Sequence, residues 1–197
     1  MATQGSDLSE DPFVAEYEAA RDLLRTSDWR QGLKELEKFA HQGSISSILL
    51  VADAMRAGWL YQQDLAAASL WYQAAAESGY ARGWFGLGLT HLANGEFDQA
   101  RENLEKAATQ GYWPAFNSLA GIHFRGDGVP VDKKRAEVLW ERAASFGHIP
   151  ARKNLMDQRL AGTYGLRGRL KGLLGLLPYA VRRVRIERSA PYSDFMR

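Results

Sequence analysis

Four glycines set the frame of this chain: Gly43, Gly79, Gly111 and Gly147 stand 36, 32 and 36 residues apart. Each closes a similar run, Leu36 to Gly43, Tyr72 to Gly79, Leu104 to Gly111 and Trp140 to Gly147. Four residues before the glycine come Phe39, Ala75, Ala107 and Ala143, and three before it come Ala40, Ala76, Ala108 and Ala144. Eleven before it come Gly32, Ala68, Ala100 and Ala136. Small residues at fixed helical offsets let a neighbouring helix approach closely, and the glycine can take the left-handed conformation that stops a helix. The residues beyond it repeat as well. Four on stand Ser47, Gly83, Ala115 and Ala151; eight on, Val51, Leu87, Leu119 and Leu155; nine on, Ala52, Gly88, Ala120 and Met156. Each unit therefore reads as a helix, a turn, a second helix and a glycine stop.

Two helices in a period of 32 to 36 residues predict a helical solenoid. One such unit cannot bury its own apolar face, so units stack and the ends need covering. The expected fold is all-α, a solenoid of antiparallel helix pairs with about four units plus a closing helix from about Pro150 to Ala161. Nine or ten helices follow from this, and strands are poorly supported before residue 180. Residues 12–163 form the expected solenoid, residues 1–11 a flexible N-terminus and residues 164–197 a C-terminal extension. Asp11-Pro12 suits the start of an opening helix reaching about Leu24, Asp28 suits the N-cap of the next, and Gly95 precedes a helix start at Glu96-Phe97-Asp98.

Longer stretches of the units carry a family likeness. Gly126-Asp127-Gly128-Val129-Pro130-Val131-Asp132-Lys133-Lys134-Arg135-Ala136 resembles the inter-helix loop of Sel1-like repeats, relatives of the tetratricopeptide repeats. Trp71 to Gly79 resembles the ending of that family's second helix, and Leu104 to Gly111 repeats it. The resemblance covers roughly residues 44–162 in three consecutive units. The unit ending at Gly79 has Tyr61-Gln62-Gln63-Asp64 in place of the glycine-rich loop, the unit ending at Gly111 has a shortened loop, and the hairpin before Gly43 is more generally tetratricopeptide-like. The resemblance implies a right-handed α-solenoid that works as a non-catalytic scaffold or adaptor, binding a partner segment in its groove. Envelope and polysaccharide machinery are among the assemblies it brings into view.

Chemistry-bearing constellations are sparse. The chain has no cysteine, which excludes disulfides, thiolate metal sites and thiol catalysis. His91 and His123 each stand twelve residues after their glycine; a metal pair is one reading, and a half-buried aromatic slot filled by His, commonly Tyr in the family resembled, is the better one. His41 falls near a helix C-terminus and His148 follows a stop glycine. Glu35-Glu37, Glu102-Glu105 and Glu137-Glu141 have basic neighbours at helical spacing and read as solvated faces. Gly126-Asp127-Gly128 lacks the Gly-Lys-Ser/Thr ending of a phosphate loop, and no Gly-x-Ser-x-Gly or His-Glu-x-x-His run occurs. No catalytic residue, metal or cofactor is expected. Of Trp29, Trp59, Trp71, Trp84, Trp113 and Trp140, most should pack between units and the rest line a groove. The candidate groove residues are Arg56, Trp84, Phe85, His91 and His123.

The net charge of +2 conceals a division. Residues 1–150 hold 14 basic and 20 acidic side chains, a charge of −6, whereas residues 151–197 hold 11 and three, a charge of +8. In the tail, Leu166, Leu170, Leu173, Leu174, Leu177 and Val181 form one helical stripe with Gly165, Gly168, Gly172 and Gly175 on the opposite face. Arg167, Arg169 and Lys171 flank it, Pro178 should break it, and Arg182, Arg183, Arg185 and Arg188 follow. Three roles fit. The leucines can cap the last solenoid helix, lie on an anionic membrane surface, or leave the basic groups to a nucleic acid or acidic protein. The leucine stripe disfavours nucleic acid. The expected docking residues are Arg167, Arg169, Lys171, Leu173, Leu174, Leu177, Arg182, Arg183 and Arg185. The first residues lack an apolar stretch, so no secretory signal is expected, and a cytoplasmic location, peripheral to the inner membrane where the tail docks there, follows as an expectation. The alternative to a groove-binding adaptor is a peripheral assembly factor whose tail binds anionic lipid.

Overall fold

The computed structural model describes residues 11–176; the rest of the expected N-terminus, and Leu177, Arg182, Arg183 and Arg185 of the tail, lie outside the described residues. Nine helices follow in order: α1 (Val14–Leu23), α2 (Trp29–His41), α3 (Ile45–Ala57), α4 (Leu65–Glu77), α5 (Ala81–Asn94), α6 (Phe97–Thr109), α7 (Pro114–Arg125), α8 (Lys133–Ser145) and α9 (Ile149–Leu160). A further helix, α10, covers residues 165–176, and the described residues contain no strand. Each helix packs chiefly on its neighbours in the chain, and α3 also touches α5, so the first helices of successive units share a face.

The stop glycines work alike. Gly43, Gly79, Gly111 and Gly147 have φ of +95°, +89°, +83° and +85°. In each, the N–H of the following residue reaches back to the carbonyl of Phe39, Ala75, Ala107 or Ala143, at 2.9 to 3.1 Å. This satisfies carbonyls that a helix end otherwise leaves open, and it turns the chain the same way four times. The small residues at fixed offsets are the contact seam: Ala68, Ala75, Ala100, Ala107, Ala136 and Ala143 are wholly buried. A methyl group on Gly83 would stand 2.4 Å from the Ala76 nitrogen, and one on Gly88 would stand 2.7 Å from Leu104 Cγ. Helix α5 is therefore held between α4 and α6 by the absence of side chains. Two apolar clusters, one under α1 to α5 and one under α6 to α9, meet at the half-buried Trp84, which packs on both.

Two expected helix starts need correction, and one of the three tail roles is set aside. Asp28 stands at the start of α2, but its carboxylate makes no capping bond, and its own N–H donates to Thr26 Oγ1 at 3.1 Å. Asp11 accepts from the nearby Phe13 N–H at 2.9 Å, yet its other oxygen serves the distant start of α3. The leucine stripe does not cover the solenoid end. The glycine face of α10 does: Gly168 and Gly172 are buried, while Leu166, Leu170, Leu173 and Leu174 are 73%, 51%, 56% and 63% exposed.

Candidate functional site

The first-helix face carries a cleft of about 420 Å³ between α3 and α5. Its apolar walls are Leu50, Phe85 and Leu89, Tyr112 closes one end, and Trp59 stands at the rim, 52% exposed. Trp59 reaches the rim because Gly58 ends α3 in the left-handed conformation, φ +72°, and turns the chain outward.

A polar network forms the floor. Tyr72 comes from α4 and is almost wholly buried, with its hydroxyl donating to Asp53 Oδ1. The other oxygen of Asp53 accepts from Arg82 Nη2 at 2.5 Å, and Arg56 Nε donates to the Tyr72 hydroxyl at 3.2 Å. Burial, then the Asp53 charge, pushes the Tyr72 phenol well above its ordinary range, so it stays a donor to Asp53. Burial likewise raises Tyr112, whose ring lies 5.1 Å from that of Phe85. Gly86 makes room for the Tyr72 ring: a methyl group there would lie 2.2 Å from Tyr72 Cδ1. Arg82 is thus fixed on the Asp53 carboxylate and Arg56 on the Tyr72 hydroxyl, both beside apolar walls. That arrangement suits an extended partner segment with both apolar side chains and acceptor groups.

Of the candidate groove residues, Arg56 and Phe85 line this cleft together. Trp84 lies in the packing between units, with Lys106 Nζ 4.7 Å from its ring centre. His91 Nδ1 meets Glu96 Oε2 at the turn between α5 and α6. His123 lies in a separate cleft of about 260 Å³ between α6, α7 and α8, with Glu105, Phe116, Arg135 and Arg142. Burial, then the Arg135 charge, lowers its imidazole below the ordinary range. Among the described residues no group of three or more His, Asp or Glu side chains is placed to hold a metal ion.

Asp53, Tyr72 and Arg82 are not among the groove candidates of the sequence, and Trp59 enters there only as one of six tryptophans divided between packing and groove. Trp59 carried a signal, since a tryptophan just after a helix-ending glycine leaves the regular packing seam. Tyr72 reads as core from its repeat slot, shared with Leu36, Leu104 and Trp140, and nothing local says that its hydroxyl emerges in the cleft. Further along the chain, Arg169 Nε donates to the Leu160 carbonyl at 3.4 Å and Lys171 Nζ lies 3.7 Å from Glu141, so both basic residues help seat α10. Arg167 is exposed.

No family model matches the chain, and no curated protein matches it in a sequence search. Solved structures do. It is similar to a Sel1 repeat protein from Oxalobacter formigenes, with 22% identity over 86% of this chain and 73% of the other, and a TM-score of 0.69. It is similar to a protective antigen present in uropathogenic Escherichia coli strains displaying an SLR fold, with 25% identity over 78% of this chain and a TM-score of 0.63. An immunity protein from Pseudomonas aeruginosa is 21% identical over 79% of this chain, with a TM-score of 0.58. The chain spans 35% of the length of the E. coli antigen and 63% of that of the immunity protein. The likeness is one of fold.

Proposed function

We propose that this Sel1-like helical repeat protein is a non-catalytic scaffold that holds a partner's peptide segment in the cleft between α3 and α5. The observation that carries this reading is the cleft itself. Leu50, Phe85 and Leu89 form apolar walls, Arg56 and Arg82 are fixed on a floor shared with Asp53 and Tyr72, and Trp59 is exposed at the rim. Aromatic and arginine side chains around a preformed apolar hollow are where binding energy concentrates. The basic C-terminal extension would dock the scaffold to a second partner or to a membrane surface. A cytoplasmic site of action, at the inner membrane face when docked, belongs to the same proposal.

The test is capture from native extract with the full-length protein, comparing the parent with Trp59→Ala and Phe85→Ser. Both changes should keep the helical circular dichroism and deplete the same captured proteins. Capture unchanged by both substitutions would remove the cleft as the binding site.

A further inference from the structure

Helix α10 has two faces of opposite character, and the fold decides which one is used internally. A methyl group on Gly172 would stand 3.1 Å from Arg159 Cβ and Leu160 Cδ2, and one on Gly175 would stand 3.0 Å from Met156 Cε. The glycine face therefore sets the α10 backbone directly against side chains of α9. Gly168, Gly172 and Gly175 repeat the four-then-three spacing of the buried residues Ala68, Tyr72, Ala75 and Ala136, Trp140, Ala143. So α10 occupies the slot of a fifth second helix, with glycine where the other units place a large core side chain. Leu166, Leu170, Leu173 and Leu174 are left in solvent as one continuous stripe.

On a helical projection Arg167 and Lys171 border the stripe on one side and Arg169 on the other. Apolar and basic groups continue onto the adjacent cleft, about 370 Å³, where Ile149, Met156 and Leu176 lie with Arg152 and Lys153. We propose that the leucine face of α10 is the contact surface through which this protein lies on an anionic lipid bilayer. The inference deepens the docking role given to the basic extension and is independent of the α3–α5 cleft.

Charge selects this occupant. Arg152, Lys153, Arg167, Arg169 and Lys171 surround this face against Asp157 alone on the same two helices, so two copies meeting through it would bring like charges together. An anionic headgroup layer takes the basic flanks while the leucines enter the acyl boundary between them. Packing selects the orientation. The glycine side of α10 is held on α9 while the leucine side is exposed, so α10 lies in the plane of the interface. No described helix is long and apolar enough to cross a membrane. Because the glycine face stays on α9, the helix docks without leaving the solenoid, and the end of the repeat array is brought to the surface.

The absence of cysteine makes the test direct. Full-length Leu173→Cys, labelled with an environment-sensitive fluorophore, is mixed with vesicles of phosphatidylcholine and phosphatidylglycerol or of phosphatidylcholine alone. The label should shift to the blue with the anionic vesicles only, and the same label on Gln73→Cys of α4 should not move. In flotation, the triple variant Leu170→Glu, Leu173→Glu, Leu174→Glu should lose at least tenfold in bound fraction against the parent. Flotation of the triple variant at parental level, with no shift at position 173, would mean that basic residues bind lipid without α10 and would overturn the proposal. A parent that does not float, but forms a dimer in sedimentation that the triple variant dissolves, would give the face to a second copy. A parent that neither floats nor dimerises would equally end the lipid assignment. Should the triple variant fail to fold, the position-173 label in the otherwise native chain decides alone.

Discussion

Asp11 Oδ2 accepts a 2.7 Å hydrogen bond from the backbone N–H of Ser46, 35 residues further along the chain. The same oxygen accepts from Ser44 Oγ at 3.0 Å, and Ser44 is itself the N-cap of α3. One carboxylate thus caps a helix two elements away and pins the start of α1 to the start of the next unit. Both oxygens are engaged, and the residue is 4% exposed. The negative charge also stands at the positive end of the α3 dipole.

Asp11→Ala should therefore destabilise the chain by about 2–3 kcal/mol, because buried donors at Ser44 and Ser46 lose a charged acceptor. Burial opposes ionisation of Asp11, but the bonds from Ser46, Phe13 and Ser44 outweigh it and hold the carboxyl below its ordinary value of 3.8. A depressed folded pKa stabilises above the unfolded value, and the contribution is lost as pH falls through the folded one. Urea unfolding between pH 2 and 6 should show an acid limb in the parent that is shallower in Asp11→Asn. Identical limbs would mean that another carboxylate governs acid stability.

Gly86 and Tyr72 are coupled by space rather than by a bond. Alanine at position 86 favours the helix by about 1 kcal/mol over glycine, yet its methyl group would lie 2.2 Å from the buried ring. Overpacking should win, leaving Gly86→Ala less stable by about 1–3 kcal/mol. In a double-mutant cycle with Tyr72→Leu, the alanine should cost far less in the leucine background. Additive costs would show that the ring moves aside freely.

The repeat was legible in the sequence because its punctuation is local. A helix-ending glycine at positive φ needs no distant partner, so the period from Gly43 to Gly147 translates directly into four identical turns. The alanine seam was legible for the same reason. The cleft was only half legible. Arg56 and Phe85 meet there, but Trp84 lies two-sided in the core, and the distinction between neighbouring positions 84 and 85 depends on how α5 is rotated between α4 and α6. The tail pattern announced two faces without saying which turns inward. Leucine burial is the usual driving force, and here close backbone approach through glycine takes its place. Asp11 was legible as a turn former only, since its bonds to Ser44 and Ser46 depend on stacking of whole units.

His148 takes the place that Ser44 holds three units earlier in pattern: it is the N-cap of α9, and its Nδ1 accepts from the Ala151 N–H at 3.2 Å. Only the neutral imidazole can accept there. Burial keeps its pKa below the ordinary 6.5. The cap is in place above the unfolded pKa and is lost as pH falls through the lower folded value. His148→Ser should keep a cap and remove this dependence, so its melting temperature should decline less than the parent's between pH 7 and 5. His148→Ala should cost about 1 kcal/mol at pH 7. A parallel decline in the parent and the serine variant would show that the imidazole does not titrate in this range.

Gly172 tests how α10 is held. Leucine at this position improves helix propensity by up to about 1 kcal/mol, so a helix standing alone would be strengthened. Against α9 the effect reverses, because even a methyl group would meet Arg159 Cβ and Leu160 Cδ2 at 3.1 Å and a leucine adds three more carbons on the same side. Gly172→Leu should leave residues 165–176 helical in part but detached. Their amide hydrogens should then exchange at least tenfold faster than in the parent, while those of α3 to α7 keep their protection. The seat formed by Arg169 on the Leu160 carbonyl and by Lys171 beside Glu141 should weaken with it, so Lys171→Ala should add little in the leucine background. Unchanged exchange in Gly172→Leu would mean that those polar contacts, rather than the glycine face, fix the last helix to the solenoid.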